Sequence, residues 1–184
     1  ARKVYEMARD FIQRGIPIDG IGMQGHWTLE DVNAENLSAS IDLFASLGLE
    51  VHITEMDISI YPYYHNTDRE ALPKEVREFT SEIEAKQAAK YRQVFKVLRS
   101  RSSDVTSVTT WGVADDKTWL SNYFVRGRTD HPLLFGNDHQ PKEAFFAVAA
   151  TAREEIVLTI TPEVLHPVND HLFGHFMEKC SWGG

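Results

Sequence analysis

Apolar residues recur along this chain with two different periods, and the alternation between the periods lays out its architecture. Over residues 2–14, Val4, Ala8, Phe11 and Ile12 fall at helical spacing, and Gly15 with Pro17 behind it supplies a stop. Residues 18–26 then read as a short strand whose glycines allow close backbone approach, with Gln24 and His26 on one face by two-residue parity. Leu37, Ile41, Phe44 and Leu47 form the next helical stripe. Gly48 ends it, with Leu49 as the apolar contact of a Schellman stop.

An apolar run over residues 49–58 follows at once. Strict alternation places Val51, Ile53, Glu55 and Asp57 on one face and His52, Thr54, Met56 and Ile58 on the other. The face that is oily at the start of this strand is therefore expected to become acidic at its end. Residues 59–80 are polar, aromatic and proline-containing, a loop longer than a connection requires. Ser81 with Glu84 predicts a capping box, and Ile83, Ala88, Tyr91, Val94, Phe95 and Leu98 carry the stripe of a long helix. Residues 105–111 are β-branched and read as a strand ending in Trp111. A second long loop, 112–140, holds Asp115, Trp119, Asn122 and His131, and Pro141 opens a helix through Phe145, Phe146, Val148 and Ala149.

A helix followed by three strand-and-helix repeats is an α/β pattern, which implies a parallel sheet with right-handed crossovers. Three such strands alone would leave raw edges, so the expectation is part of a larger closed sheet. The character changes near residue 153. Residues 156–160 are strand-like, and Pro162, Pro167, His166, His171, His175 and Glu178 follow before the chain reaches Gly183-Gly184. The spacing of His171, His175 and Glu178 would suit a helix presenting them to a metal, while Phe173, Gly174 and Phe176 between them suit a strand and turn.

Composition narrows the classes. A chain of 184 residues with 42% hydrophobic, 25% charged and 11% aromatic residues is an ordinary globular sequence. Its net charge of -8 and scattered Lys and Arg argue against a nucleic-acid partner. No run approaches the roughly 18 apolar residues of a membrane span. The single cysteine, Cys180, offers no internal disulfide. Ala1-Arg2-Lys3-Val4 is neither a signal peptide nor an initiator sequence, so the chain is expected to begin inside a longer protein.

Chemistry concentrates where strands end. In a parallel α/β sheet the carboxyl ends of the strands build the active site, and here those ends carry Gln24 and His26, then Glu55 and Asp57, then Trp111. His26 alone reads as a core histidine and Trp111 alone as packing. Together at one rim, a carboxylate beside an imidazole with flat apolar plates suits carbohydrate chemistry. Glu55 is the foremost candidate. Two other readings stand beside it: a non-catalytic glycan-binding protein, and a metal hydrolase with His26, Glu55 and Asp57 as ligands.

The stretches Gly20-Ile21-Gly22-Met23-Gln24-Gly25-His26, Val51-His52-Ile53-Thr54-Glu55-Met56-Asp57-Ile58 and Trp111-Gly112-Val113-Ala114-Asp115, with Trp119, resemble the family 10 glycoside hydrolases, the endo-β-1,4-xylanases. So does Pro132-Leu133-Leu134-Phe135 followed by Pro141-Lys142. The resemblance covers residues 1–152 and implies the last three strands and helices of a (β/α)8 TIM barrel. It implies Glu55 as the nucleophile, with His26 and Asp57 bonded around it, and Gln24, Trp111, Trp119 and Asp115 binding xylan or xylo-oligosaccharide. It implies no cofactor and no metal, and a secreted or periplasmic protein. Met56 for the family's usual leucine conserves volume, and Glu143 stands where the family has proline.

A retaining glycosidase also needs an acid about 5 to 5.5 Å from the nucleophile. The family takes it from an Asn-Glu pair at a strand end, and this sequence has none in such a place. The acid, and the N-terminal half of the barrel, are expected outside this chain. Residues 153–184 are expected to be a linker and the start of a second module. Ile160-Thr161-Pro162 and the segment from Val168 to Glu178 resemble the opening of family 51 α-L-arabinofuranosidases, which implies a sugar contact for Glu178.

Overall fold

A computed structural model of the chain describes residues 1–62 and 72–152, all within one unit, Ala1–Arg153. The expected second module, with Glu178, lies outside the described residues.

Helix α1 (Arg2–Gln13) ends before Gly15, whose φ of +70° turns the chain. It buries only Ala8, and Val4, Met7 and Ile12 remain exposed. Strands β1 (Gly20–Met23) and β2 (His26–Thr28) are the expected first strand broken at Gln24-Gly25. Both run parallel to β3 (Glu50–Ser59). The break is bridged, since Glu55 N–H donates to the Gln24 carbonyl at 2.7 Å and Asp57 N–H to that of Gly25 at 3.3 Å. Strand β4 (Val105–Thr110) pairs with β3 on its other edge, also in parallel. The parallel pairing expected from the repeats is present.

Helices α2 (Ala34–Ala45) and α3 (Ser81–Ser100) cover one face of this sheet. Asn33 caps α2 by accepting from Asn36 N–H at 2.9 Å. At α3 the cap is Thr80, which accepts from Ile83 N–H at 3.3 Å, so the helix starts one residue earlier in its capping than the Ser81–Glu84 box predicted. Glu84 instead accepts from Glu143 N–H at 3.1 Å and so tethers α4 (Glu143–Ala149). Leu37, Ile41 and Phe44 from α2 and Tyr91, Val94 and Leu98 from α3 pack with Val51, Ile53, Met56 and Ile58 of β3 in one core.

That core membership corrects the expected alternation. Val51 and Ile53 are odd positions and Met56 and Ile58 even, yet all four lie in the helix-covered core. The parity changes because β3 carries a bulge. Its register against the first strand shifts from Met23↔Ile53 to His26↔Asp57, so Gln24 and Gly25 stand opposite three residues, Thr54, Glu55 and Met56. The register with β4 is irregular over the same stretch. Glu55 and Asp57 therefore do not continue the face of Val51 and Ile53. The bulge turns them to the opposite face, away from the helices.

Candidate active site

The bulge brings four side chains into one hydrogen-bonded line. His26 Nε2 lies 3.1 Å from Glu55 Oε2 and His26 Nδ1 lies 3.0 Å from Asp57 Oδ1. The Trp119 indole N–H donates to Asp57 Oδ2 at 2.8 Å, and Gln24 Nε2 donates to Glu55 Oε1 at 3.4 Å. Gly25 permits this placement. Its φ is +83°, and a Cβ there would meet Ile53 Cγ2 at 2.8 Å and the Trp27 ring at 3.2 Å, so only glycine fits between Gln24 and His26. Gly112 acts similarly after Trp111, with φ +133° and Leu133 Cδ1 at 2.8 Å from a built Cβ.

Burial grades along the line. The Asp57 side chain is 1% exposed, that of His26 15% and that of Glu55 24%. Asp57 has one oxygen on His26 and the other on Trp119, so it is held in place on both sides. Glu55 is the carboxylate open to a substrate. Ionised carboxylates only accept hydrogen bonds, so His26 satisfies both neighbours when both ring nitrogens carry protons. Burial of the imidazole acts to lower its pKa, but the hydrogen bonds and charges of Asp57 and Glu55 outweigh it, and the net result lies above the ordinary 6.5. Glu55, bonded by His26 and partly open to solvent, is placed to act as nucleophile or base.

Aromatic rings wall the site. Trp119 lies against His26 with ring centroids 5.0 Å apart, and Trp111 meets it edge-on at 6.4 Å. Trp111 keeps 45% of its surface exposed, an open plate beside Glu55 and His26. The structure thus groups Gln24, His26, Glu55, Asp57, Trp111 and Trp119. It does not bring Asp115 to them. Asp115 is buried, and its oxygens accept from Leu133 N–H at 2.8 Å and from Lys142 Nζ at 2.9 Å. These bonds place Asp115 in a buried ion pair with Lys142. Lys142 also donates to the carbonyls of His131 and Leu133 at 2.8 and 2.7 Å. Sequence reasoning passed over Ser59 and Asp130, which meet in a buried hydrogen bond beside Asp57 across 71 positions. It also passed over Tyr123 and Phe124, whose rings extend the Trp119 cluster. Tyr123 and Phe124 stand near Trp119 in sequence, which was the available signal; nothing in the sequence pairs Ser59 with Asp130.

Comparison with known proteins gives four consistent matches. The family model of glycosyl hydrolase family 10 matches residues 1–151. Endo-1,4-beta-xylanase A of Caldicellulosiruptor saccharolyticus is 44% identical over 147 residues, which are 79% of this chain and 41% of that protein. The structure of a GH10 xylanase of Thermobacillus composti superposes with a TM-score of 0.74 at 40% identity, covering 82% of this chain and 48% of the other. A solved variant enzyme in complex with xylotriose superposes at 0.71 with 42% identity, covering 80% and 43%. The parallel sheet and its helices are the C-terminal part of a (β/α)8 barrel. The chain spans about two-fifths of the length of the curated relative, 41%.

Proposed function

Because the chain belongs to glycosyl hydrolase family 10, we propose that it carries the nucleophile and the inner sugar wall of a retaining endo-1,4-β-xylanase whose acid/base residue lies outside residues 1–184. The observation that carries this reading is the line Glu55–His26–Asp57–Trp119, in which one half-open carboxylate is held by a part-buried, doubly bonded imidazole.

In the first step Glu55 attacks the anomeric carbon from below the ring. The glycosidic C–O bond breaks as the external acid protonates the departing oxygen, leaving a xylosyl ester on Glu55. Water, deprotonated by the same external residue, then displaces Glu55 and releases the sugar with its β configuration restored. His26 shares its charge with Glu55 and Asp57 through both steps, and Asp57 with Trp119 fixes the imidazole plane. Trp111 supplies an apolar face for the sugar ring. Xylan is the substrate class because the matched relatives are named xylanases and one is solved with xylotriose.

Residues 1–152 form the barrel part in this reading, and 153–184 a linker and the start of an arabinofuranosidase-like module in which Glu178 contacts sugar. Arabinose decorates xylan, so the pairing is chemically coherent. The protein is proposed to be secreted or periplasmic, since xylan is too large to enter a cell. Proton NMR of xylohexaose digested by the full-length protein tests the mechanism: the β-anomer should appear first, and immediate α-anomer would refute retention.

A further inference from the structure

Asp130 is buried beside the catalytic line, and its hydrogen bonds run to other residues. Its Oδ2 accepts from the Ser59 hydroxyl, and its Oδ1 accepts from Ile60 N–H at 3.1 Å and from His131 N–H at 2.7 Å. Its own N–H donates to Ser121 Oγ at 3.1 Å. Ser59 and Ile60 follow Asp57 on β3, and Ser121 lies two residues past Trp119. The side chain therefore fixes residue 130 to the strand that bears Glu55 and Asp57, and the backbone N–H of the same residue holds Ser121 on the arm that bears Trp119. A small cavity lies where they meet, lined by His26, Asp57, Ser59, Phe124, Arg128 and Asp130.

Resting on the xylanase reading above, we propose that Asp130 is a positioning residue of the reaction, which acts by holding the Trp119 indole N–H on Asp57 and thereby the imidazole of His26 between its two carboxylates. Three observations favour position over stability as its role. Its carboxylate bonds the β3 end while its backbone N–H bonds the Trp119 arm of the loop, so residue 130 joins the two. Among the described residues the Asp57 carboxylate, which Asp130 supports indirectly, bonds to His26 through one oxygen and to Trp119 through the other, so a shift of Trp119 leaves one buried oxygen without its donor. Burial also pushes the Asp130 carboxyl above its ordinary range, so carrying this charge costs the fold something.

The test uses the full-length enzyme that carries this chain. Asp130→Ala should lower kcat on xylohexaose by about tenfold to a hundredfold, the scale of a misplacement of about 1 Å, while KM changes little. Trp119→Phe, which keeps a ring and removes the N–H, should lower it too, and the double variant should fall within about threefold of Trp119→Phe alone, because both changes break one linkage. A purely structural role would make the losses multiply. Solvent exchange of the Trp119 indole proton, followed by ¹⁵N NMR, supplies a readout independent of turnover. It should accelerate at least about tenfold in Asp130→Ala, as a lost hydrogen bond frees the proton. Where Asp130→Ala does not fold, Asp130→Asn serves: it cannot accept the Ser59 hydroxyl at Oδ2, so kcat and indole protection should both fall by several-fold. Wild-type kcat or wild-type indole protection in a folded variant overturns the proposal. Absence of xylanase activity in the parent, with the indole still deprotected by Asp130→Ala, would sink the xylanase reading and leave the linkage standing.

Discussion

Removing the Asp115 carboxylate tests whether it is a structural anion. Asp115 and Lys142 are both buried, at 2% and 6% exposure, and their bond measures 2.9 Å. In Asp115→Ala the Lys142 ammonium keeps two carbonyl acceptors but loses its countercharge, and Leu133 N–H loses its acceptor. Breaking one side of a buried pair costs about 3–5 kcal/mol, and at roughly 2–4 °C per kcal/mol the melting temperature should fall by about 6 °C or more. Burial already holds the Lys142 pKa below 10.5 although Asp115 acts to raise it. Without Asp115 it falls further. A folded-state pKa below the unfolded one means the unfolded chain binds more protons in the interval, so stability rises with pH there. The deficit of Asp115→Ala should accordingly shrink as pH rises from the depressed value towards 10.5. Lys142→Met with Asp115→Leu should lose less than the sum of the single changes, since the buried charge left alone is what costs most. Urea unfolding of the full-length protein with these variants at several pH values gives the numbers. A loss under about 1 kcal/mol for Asp115→Ala, or a raised KM for xylo-oligosaccharide at unchanged stability, would refute the argument and return Asp115 to the sugar.

Further outcomes are expected at the site itself. The His26 imidazole should titrate above 6.5 by NMR; its stabilising contribution is full below 6.5 and is lost as pH rises through the higher folded value, and Asp57→Asn should bring that value down. A titration at or below 6.5 would contradict the doubly protonated bridge. Trp111→Ala should lower kcat/KM on short xylo-oligosaccharides by about tenfold, the loss of about 1.4 kcal/mol of ring contact, and unchanged kinetics would return Trp111 to packing. Residues 1–184 expressed alone should release no measurable reducing sugar from xylan, since proton donation contributes about 10² to 10⁴ in rate; turnover equal to the full-length enzyme would place the acid inside this chain.

The helices and their order were legible because Leu37, Ile41 and Phe44, and Tyr91, Val94 and Leu98, repeat at helical spacing and do face the core. The cap of α3 was misplaced by one residue because Thr80 and Ser81 are both competent caps and only the path of the chain chooses between them. The bulge was misread although its trace is in the sequence. Apolar residues fall at 51, 53, 56 and 58, and the gap of three between Ile53 and Met56 is the extra residue. Reading that gap would have turned Glu55 and Asp57 away from the helices at once. The site was otherwise readable where its members lie at strand ends, as Gln24, His26, Glu55 and Asp57 do. Contacts such as Asp115 with Lys142, 27 positions apart, or Ser59 with Asp130, 71 apart, depend on where long loops return, and no local pattern encodes that.

The most direct measurement asks which carboxylate bonds to the sugar. The full-length enzyme is incubated with a 2-deoxy-2-fluoro-xylobioside bearing a good leaving group, digested, and the labelled peptide located by mass spectrometry. The half-open carboxylate facing His26 predicts a fluoroxylobiosyl ester on Glu55, and none in Glu55→Ala. A label on any other carboxylate, or inactivation that persists in Glu55→Ala, would contradict Glu55 as the nucleophile.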